Sequence, residues 1–151
     1  MTRSSRRMTT RFRPMNARST TTTPTVTTMA LALAVSSGTM FVHNTASLPI
    51  PPWAIENIGP LLFALLLLIL YQARPGWRRL VLITILVWGL LNAIVGGVLT
   101  VLPLPIWPFE PEQSIGHYTA HVIYTLGQLP LIVLAFVGLR AGHGVQKAAG
   151  S

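Results

Sequence analysis

Five polar residues that could bind a ligand recur along a single predicted helix in the last third of the chain. They are Ser114, His117, His121, Tyr124 and Gln128, and successive members are three, four, three and four residues apart. Side chains at these spacings stack on one face of an α-helix. The flanking residues are apolar, and lipid cannot satisfy hydrogen-bond donors and acceptors. We therefore expect this polar stripe to face protein or water.

The histidine pair of the stripe suggests metal chemistry. His117 and His121 are four residues apart, the spacing at which two imidazoles can meet one zinc or copper ion. Glu110, Glu112 and His43 are predicted at the same membrane surface, although nothing in the sequence fixes His43 beside the pair. In the alternative interpretation, His117 lies in interfacial water and His121 makes a hydrogen bond between helices. The sequence predicts no cofactor.

The deeper part of the stripe suggests a polar cavity. Tyr124 and Gln128 are predicted near Asn92 and Thr84 of the preceding apolar segment. A cavity between them would suit a quinone headgroup, a lipid headgroup or a chain of waters. A buried Asn in a membrane helix alternatively serves as a hydrogen bond to a neighbouring helix. No titratable group is predicted near the membrane midplane, which argues against an ion-coupled transporter.

The sequence lacks the usual signatures of catalysis. It contains no Asp and no Cys, and it shows no nucleophile elbow, no glycine-rich phosphate loop and no membrane-embedded metalloprotease motif. The absence of Cys also excludes disulfides, thiolate metal sites and thiol-redox roles. We therefore expect a protein without catalytic activity.

Composition points to the membrane. Of the 151 residues, 51% are hydrophobic and only 9% are charged, against about 25% charged residues in soluble domains. Apolar runs of about 20 residues cross a bilayer. The sequence predicts one domain, an all-α, four-helix transmembrane bundle of two hairpins. The predicted spans are residues 26–43, 53–73, 80–102 and 115–139.

The positions of the basic residues predict the orientation. Eleven Lys and Arg fall in three groups: six in residues 1–24, three in residues 74–79 and two after residue 139. The connections between the first and second spans and between the third and fourth contain none. Since cytoplasmic segments are enriched in Lys and Arg, both termini are predicted in the cytoplasm and these two connections outside.

The terminal segments are expected to lie outside the membrane domain, which is predicted to span residues 25–140. Residues 1–24 are basic and poor in apolar side chains, so we expect a disordered cytoplasmic tail that determines topology rather than one that binds nucleic acid. Residues 141–151 form a second predicted cytoplasmic tail. A cleaved signal peptide ending near Ala46 is the alternative for the first span.

Small residues recur every fourth position in two spans, a pattern typical of close helix contact. The pattern favours a non-catalytic accessory or interaction protein that associates with itself or with a larger membrane complex. A binding or transport module that uses the polar stripe for a small ligand or metal is the alternative. The two seams consist of Ala30, Ala34 and Gly38, and of Gly89, Ala93 and Gly97.

The last third of the chain also carries a resemblance. The segment LPLPIWPFEPEQSIGHYTAHVIYTLGQLPLI, residues 102–132, is similar to small multi-pass membrane proteins of actinobacteria, a group with no assigned activity. The resemblance implies a location in the bacterial plasma membrane and supplies no site.

Overall fold

A computed structural model describes residues 23–48 and 50–149, with side chains described as far as Ala141. These residues form helices and connections and contain no strand, so the predicted all-α class is confirmed. In chain order the elements are α1 (Val26–Ala46), α2 (Ile55–Ala73), a 3-10 turn (Pro75–Trp77), α3 (Arg78–Leu91), a π segment (Asn92–Val98), a second 3-10 turn (Leu99–Val101) and α4 (Ile115–Ala149).

Four helical stretches in the described part of the chain are long and apolar enough to cross a bilayer. About 20 apolar residues suffice for a core roughly 30 Å thick. The chain is therefore an integral, multi-pass membrane protein. The four stretches are Val26–Ala46, Ile55–Ala73, Pro75–Val101 and Ile115–Ala141.

Both terminal helices extend beyond the predicted spans. α1 continues past residue 43 to Ala46, and Thr45 in its last turn donates its hydroxyl to the Phe41 carbonyl at 2.8 Å. Residues 141–149 of the predicted C-terminal tail continue α4. The predicted basic tail, residues 1–24, lies outside the described residues apart from its last two.

The helices pack as a closed four-membered bundle. α4 packs against α1 and α3, and α2 packs against the same two helices. His43 near the end of α1 contacts His117 near the start of α4, whereas the Tyr71 hydroxyl at the end of α2 donates to the Pro24 carbonyl at 2.7 Å. Neighbours are therefore antiparallel. The division into two hairpins and the cytoplasmic placement of the termini stay predictions.

The two ends of the bundle differ in charge. One end of the bundle carries two connections, residues 47–54 between α1 and α2 and residues 102–114 before α4. We call it the connection end. Three glutamates and no Lys or Arg lie in or next to these connections. At the opposite, arginine end lie the α2–α3 turn and the part of α4 around Arg140. The arginines of this end are Arg74, Arg78, Arg79 and Arg140.

The apolar core occupies the half of the bundle nearer the arginine end. Met29, Ile85, Leu131 and Ala135 have no exposed surface there. The outward faces are also apolar; Leu62 on α2, for example, is 58% exposed. In water, such a surface would cost roughly 25 cal/mol for each Å². Lipid therefore covers the outer face and the protein packs inward.

At the connection end, the side chains of Asn44 and Asn57 donate to backbone carbonyls at and just before the start of α2. Pro60 lies inside α2 and has no N–H to donate to the carbonyl four residues earlier. That carbonyl belongs to Glu56, and the Asn44 side-chain amide donates to it at 3.3 Å. Asn57, buried beside it, donates to the Pro51 carbonyl at 2.9 Å. These amides satisfy backbone groups that lipid would leave unpaired.

Glycines set the separation of α4 from its neighbours. A Cβ atom on Gly127 would clash with Thr39 of α1, and one on Gly97 would clash with Thr125 of α4. A Cβ atom on Gly89 would lie 2.8 Å from the Ile132 side chain. Close backbone approach at these points brings the polar stripe within hydrogen-bond reach of both α1 and the π segment.

The third span changes from α to π geometry where it passes the polar stripe. The Leu99 N–H donates to the carbonyl of Ile94, five residues earlier. π turns are rare and occur frequently at functional sites, since they widen the helix and redirect its carbonyls. Here the π segment contains Gly96 and Gly97, both of which lie against α4.

Candidate ligand-binding site

The polar stripe of α4 faces the interior of the bundle. His117, His121, Tyr124 and Gln128 are all buried. Ser114 lies just before α4, and its hydroxyl accepts the N–H of His117 at 3.2 Å, as an N-cap residue does. The stripe therefore meets protein groups rather than acyl chains.

Gln128, the deepest member of the stripe, connects α4 to α1. The Ser36 hydroxyl donates to Gln128 Oε1 at 2.5 Å, and Gln128 Nε2 donates to the Ser36 carbonyl at 3.3 Å. Nε2 also lies 3.3 Å from the Tyr124 carbonyl. Because its donors and acceptor are engaged within the protein, Gln128 holds the two helices together and is not available to a ligand.

Tyr124 connects α4 to the π segment and to α1. Its hydroxyl donates to Asn92 Oδ1 at 2.6 Å and lies 3.7 Å from the Met40 sulfur. The Asn92 amide donates to the Trp88 carbonyl of its own helix at 2.8 Å. The Tyr124 ring stacks on His43, with 5.4 Å between centroids and 26° between planes. The Tyr124 ring thus covers one face of the His43 imidazole.

Thr84 does not join this group. Its hydroxyl donates to the Leu80 carbonyl in its own helix at 3.0 Å. Thr84 lines a shallow surface depression with Phe63 and Trp88, about two turns of helix from Asn92. The polar contacts of Tyr124 and Gln128 are therefore made with Asn92 and α1.

His121 is oriented by the π segment. Its Nδ1 atom lies 3.0 Å from the carbonyl oxygen of Gly97. A carbonyl can only accept, so Nδ1 carries the hydrogen and donates it. In the neutral ring this leaves Nε2 of His121 with a free lone pair.

Three imidazoles from two helices meet at the connection end. The ring centroids of His43 and His121 are 4.5 Å apart, as are those of His117 and His121, and the His43 and His117 centroids are 6.2 Å apart. The Nδ1 atoms of His43 and His117 are buried and have no hydrogen-bond partner. We call His43, His117 and His121 the histidine cluster.

The histidine cluster forms one wall of a cavity of about 540 Å³. Glu110 and Glu112, from the connection that precedes α4, also line it. Met40 contributes a thioether, and the other lining residues are neutral. The cavity therefore combines imidazole nitrogens with two carboxylates and contains no Lys or Arg among its described lining residues. Its electrostatic character is that of a site for cations.

The donor atoms of this cavity are not arranged around a single point. Within the described residues, no three His or Glu side chains have donor atoms positioned to hold a metal ion together. The rings of the cluster are tilted against each other, with interplanar angles of 72° for His43 and His121 and 62° for His117 and His121. A metal would therefore require the imidazoles to rotate.

Comparisons with protein-family models, curated proteins and solved structures find no match to this chain. The resemblance to actinobacterial membrane proteins therefore stays an expectation.

The two predicted small-residue seams have different surroundings in the structure. Gly89, Ala93 and Gly97 are buried, and the two glycines lie against α4. On α1, by contrast, Ala34 is exposed and a Cβ atom on Gly38 would meet nothing within 4 Å. One seam is thus used inside the bundle. In the other, Ala34 faces outward, whereas Ala30 and Gly38 are half-buried.

The sequence does not fix His43 beside the histidine pair, and it does not single out Ser36 or Met40 as site residues. Ser36, Met40 and His43 contact the polar stripe, and their spacings of four and three residues put them on one helix face. That spacing was the available signal. It mirrors the spacing on α4, as expected for two antiparallel helices whose polar faces meet.

Proposed function

We propose that this integral membrane protein is a non-catalytic binding module for a small cationic ligand, held in the cavity beside the histidine cluster. The observation that carries this proposal is the charge pattern of the cavity. The whole chain has a net charge of +8, yet the ionised residues that line the cavity are Glu110 and Glu112. A cation is attracted there and an anion is not.

The surroundings of the cavity strengthen the attraction. At 4 Å a pair of unit charges interacts by about 1 kcal/mol in water and about 4 kcal/mol at the effective dielectric near a protein surface. The histidine cluster supplies lone pairs, and Met40 supplies a polarisable sulfur. A ligand with positive charge and hydrogen-bond donors therefore meets complementary groups on several sides.

The placement of charges along the chain supports an outward-facing site. The two connections next to the cavity contain no Lys or Arg, and the arginines lie at the opposite end. Under the positive-inside rule the cavity opens on the outer face of a bacterial plasma membrane, with both termini in the cytoplasm. The ligand would then come from outside the cell.

Thermal unfolding of the purified full-length protein in detergent tests the proposal. Zn²⁺, Co²⁺ and spermidine are the cationic probes, and sulfate and citrate are the anionic controls. A ligand at 100 times its Kd stabilises the folded state by about 2.7 kcal/mol, or about 5–10 °C in Tm. At least one cation is expected to raise Tm by this amount, and the anions are not.

The double variant Glu110→Gln/Glu112→Gln is the matched test. It removes both negative charges from the cavity and keeps the side-chain shapes, so the cation-induced rise in Tm is expected to shrink strongly. If no cation raises Tm, or if the double variant responds as the wild type does, the proposal is wrong.

A second candidate function is an accessory subunit that associates with another membrane protein or with a second copy of this chain. The supporting observation is the outward seam on α1, where Gly38 has open space above it and Ala34 is exposed. Small residues let helix backbones approach closely within lipid. This role is compatible with ligand binding, since the seam and the cavity lie on different faces of α1.

A further inference from the structure

We propose that the ligand of the cavity is a single divalent transition-metal ion of the zinc or copper type, bound by His43, His117 and His121. This inference rests on the proposed function, because it names the ligand class of the same cavity.

The spacing of the rings suits a shared ion. With metal–nitrogen bonds of about 2.0–2.1 Å, the centroids of two imidazoles at roughly 90–110° around one ion lie about 4.5–5.2 Å apart. Two centroid pairs of the histidine cluster are 4.5 Å apart, which lies within this range. The third pair, His43 and His117, is 6.2 Å apart and must approach by about 1 Å.

The motion required is a rotation of side chains. In the unliganded arrangement the rings are tilted, so their nitrogens do not point to one centre. The terminal torsion of histidine is broad and nearly two-fold, so each ring can turn its nitrogens toward a common centre. The closer approach of His43 to His117 requires a change in their first side-chain torsions as well. α1 and α4 already bring the rings close together, and rotation about both side-chain torsions would complete the site.

His121 already has the orientation of a metal ligand. Histidines that bind metals almost always donate their second ring N–H to a carboxylate or a backbone carbonyl, which fixes the tautomer and the ring direction. His121 does this through the Gly97 carbonyl at 3.0 Å. Its Nε2 is left as the ligand atom, and Gly97 is the positioning residue.

The other two imidazoles have unused nitrogens. His43 and His117 are each 8% exposed, and their buried Nδ1 atoms have no hydrogen-bond partner. A buried polar atom normally has a partner. Coordination to a metal ion would give each of these rings the interaction that the protein itself does not supply.

The charges also match. Three neutral imidazoles leave the two positive charges of the ion uncompensated, and Glu110 and Glu112 on the same cavity carry two negative charges. Imidazole nitrogens favour zinc and copper, whereas calcium and magnesium prefer oxygen ligands. A cavity of about 540 Å³ leaves room for water or a fourth ligand beside the ion.

Isothermal titration of the full-length, EDTA-treated protein with Zn²⁺ tests the inference. We expect one ion per chain, and the visible absorption of bound Co²⁺ is expected to show nitrogen coordination. The variants His43→Ala, His117→Ala and His121→Gln are each expected to weaken Zn²⁺ binding by about 100-fold or more. Gln at position 121 retains an amide that can donate to the Gly97 carbonyl while removing the imidazole.

The fourth histidine of the chain is the matched control. His143 belongs to the far end of α4, about 33 Å along the helix from His121 at 1.5 Å per residue. His143→Ala is expected to bind Zn²⁺ as the wild type does. Thermal unfolding without metal, measured for every variant, separates loss of a ligand from loss of the fold.

Three results would overturn the inference. They are a wild-type protein that binds no Zn²⁺ or Co²⁺, cluster variants that fold and bind Zn²⁺ as tightly as the wild type, and an equal loss of binding in His143→Ala. If spermidine still raises Tm in a protein that binds no metal, the metal inference fails and the proposed cation-binding function stands. If neither metal nor spermidine has an effect, both fail.

Discussion

The Nδ1 atom of His121 lies 3.0 Å from the carbonyl oxygen of Gly97, across the interface between α4 and the π segment. The contact requires the two helices to be unusually close, since a Cβ atom on Gly97 would clash with Thr125. A glycine in the third span thus determines how a histidine in the fourth presents its free nitrogen. The packing of the bundle and the chemistry of the cavity are therefore linked.

Gly97→Ala is expected to destabilise the protein. The added methyl group collides with Thr125, and overpacking of this kind typically costs about 1–3 kcal/mol. The free energy of unfolding in mixed detergent micelles measures the effect. Removing the colliding hydroxyl in Gly97→Ala/Thr125→Ala is expected to restore part of the loss, and a double variant less stable than Gly97→Ala would contradict the packing argument.

Ser36 and Gln128 are expected to be coupled. Ser36→Ala leaves Gln128 Oε1 without the donor it has at 2.5 Å, and a buried unsatisfied group costs more than a pair removed together. Ser36→Ala is therefore expected to lower the free energy of unfolding more in the wild-type protein than in the Gln128→Leu variant. The coupling energy from a double-mutant cycle is expected to be about 0.5–1.5 kcal/mol. Strictly additive effects would show that the contact contributes nothing.

The outward seam on α1 predicts a difference between two glycines. Gly38→Leu places its side chain in open space, so the protein is expected to fold normally and to lose any association made through α1. Gly89→Leu collides with Ile132 inside the bundle and is expected to lower Tm. Crosslinking and native electrophoresis after gentle extraction measure association. Unchanged migration of Gly38→Leu in a protein that does associate would exclude this seam as the interface.

Single cysteines test the predicted orientation. The chain has no Cys, so Glu110→Cys and Gly76→Cys each introduce one thiol, at the connection end and at the arginine end. A membrane-impermeant maleimide is expected to label position 110 in intact cells and position 76 only after lysis. The opposite labelling pattern would show that the bundle has the reverse orientation in the membrane, with the cavity on the cytoplasmic face.

The sequence predicted those features that depend on local periodicity. Apolar runs of spanning length give the helices, and the spacing of His117, His121, Tyr124 and Gln128 gives the inward polar face of α4. These features follow from the geometry of one helix at a time. They do not require knowledge of which helix lies next to which.

The remaining features depend on contacts between distant segments. His43 reaches His121 only because α1 packs antiparallel to α4 with Thr39 against Gly127. Likewise, Glu110 and Glu112 line the cavity because their connection folds over it. The rotation of one helix relative to another is set by packing of the whole bundle, which a spacing pattern within one segment does not encode.

Native mass spectrometry of the full-length protein tests the central claim most directly. The protein is released from micelles after incubation with equimolar Zn²⁺ or with spermidine, alongside the Glu110→Gln/Glu112→Gln variant. We predict a one-to-one cation adduct on the wild type that is strongly reduced on the variant. A wild-type spectrum without a stoichiometric adduct of either cation, or adducts of equal abundance on both proteins, would contradict a cation site in this cavity.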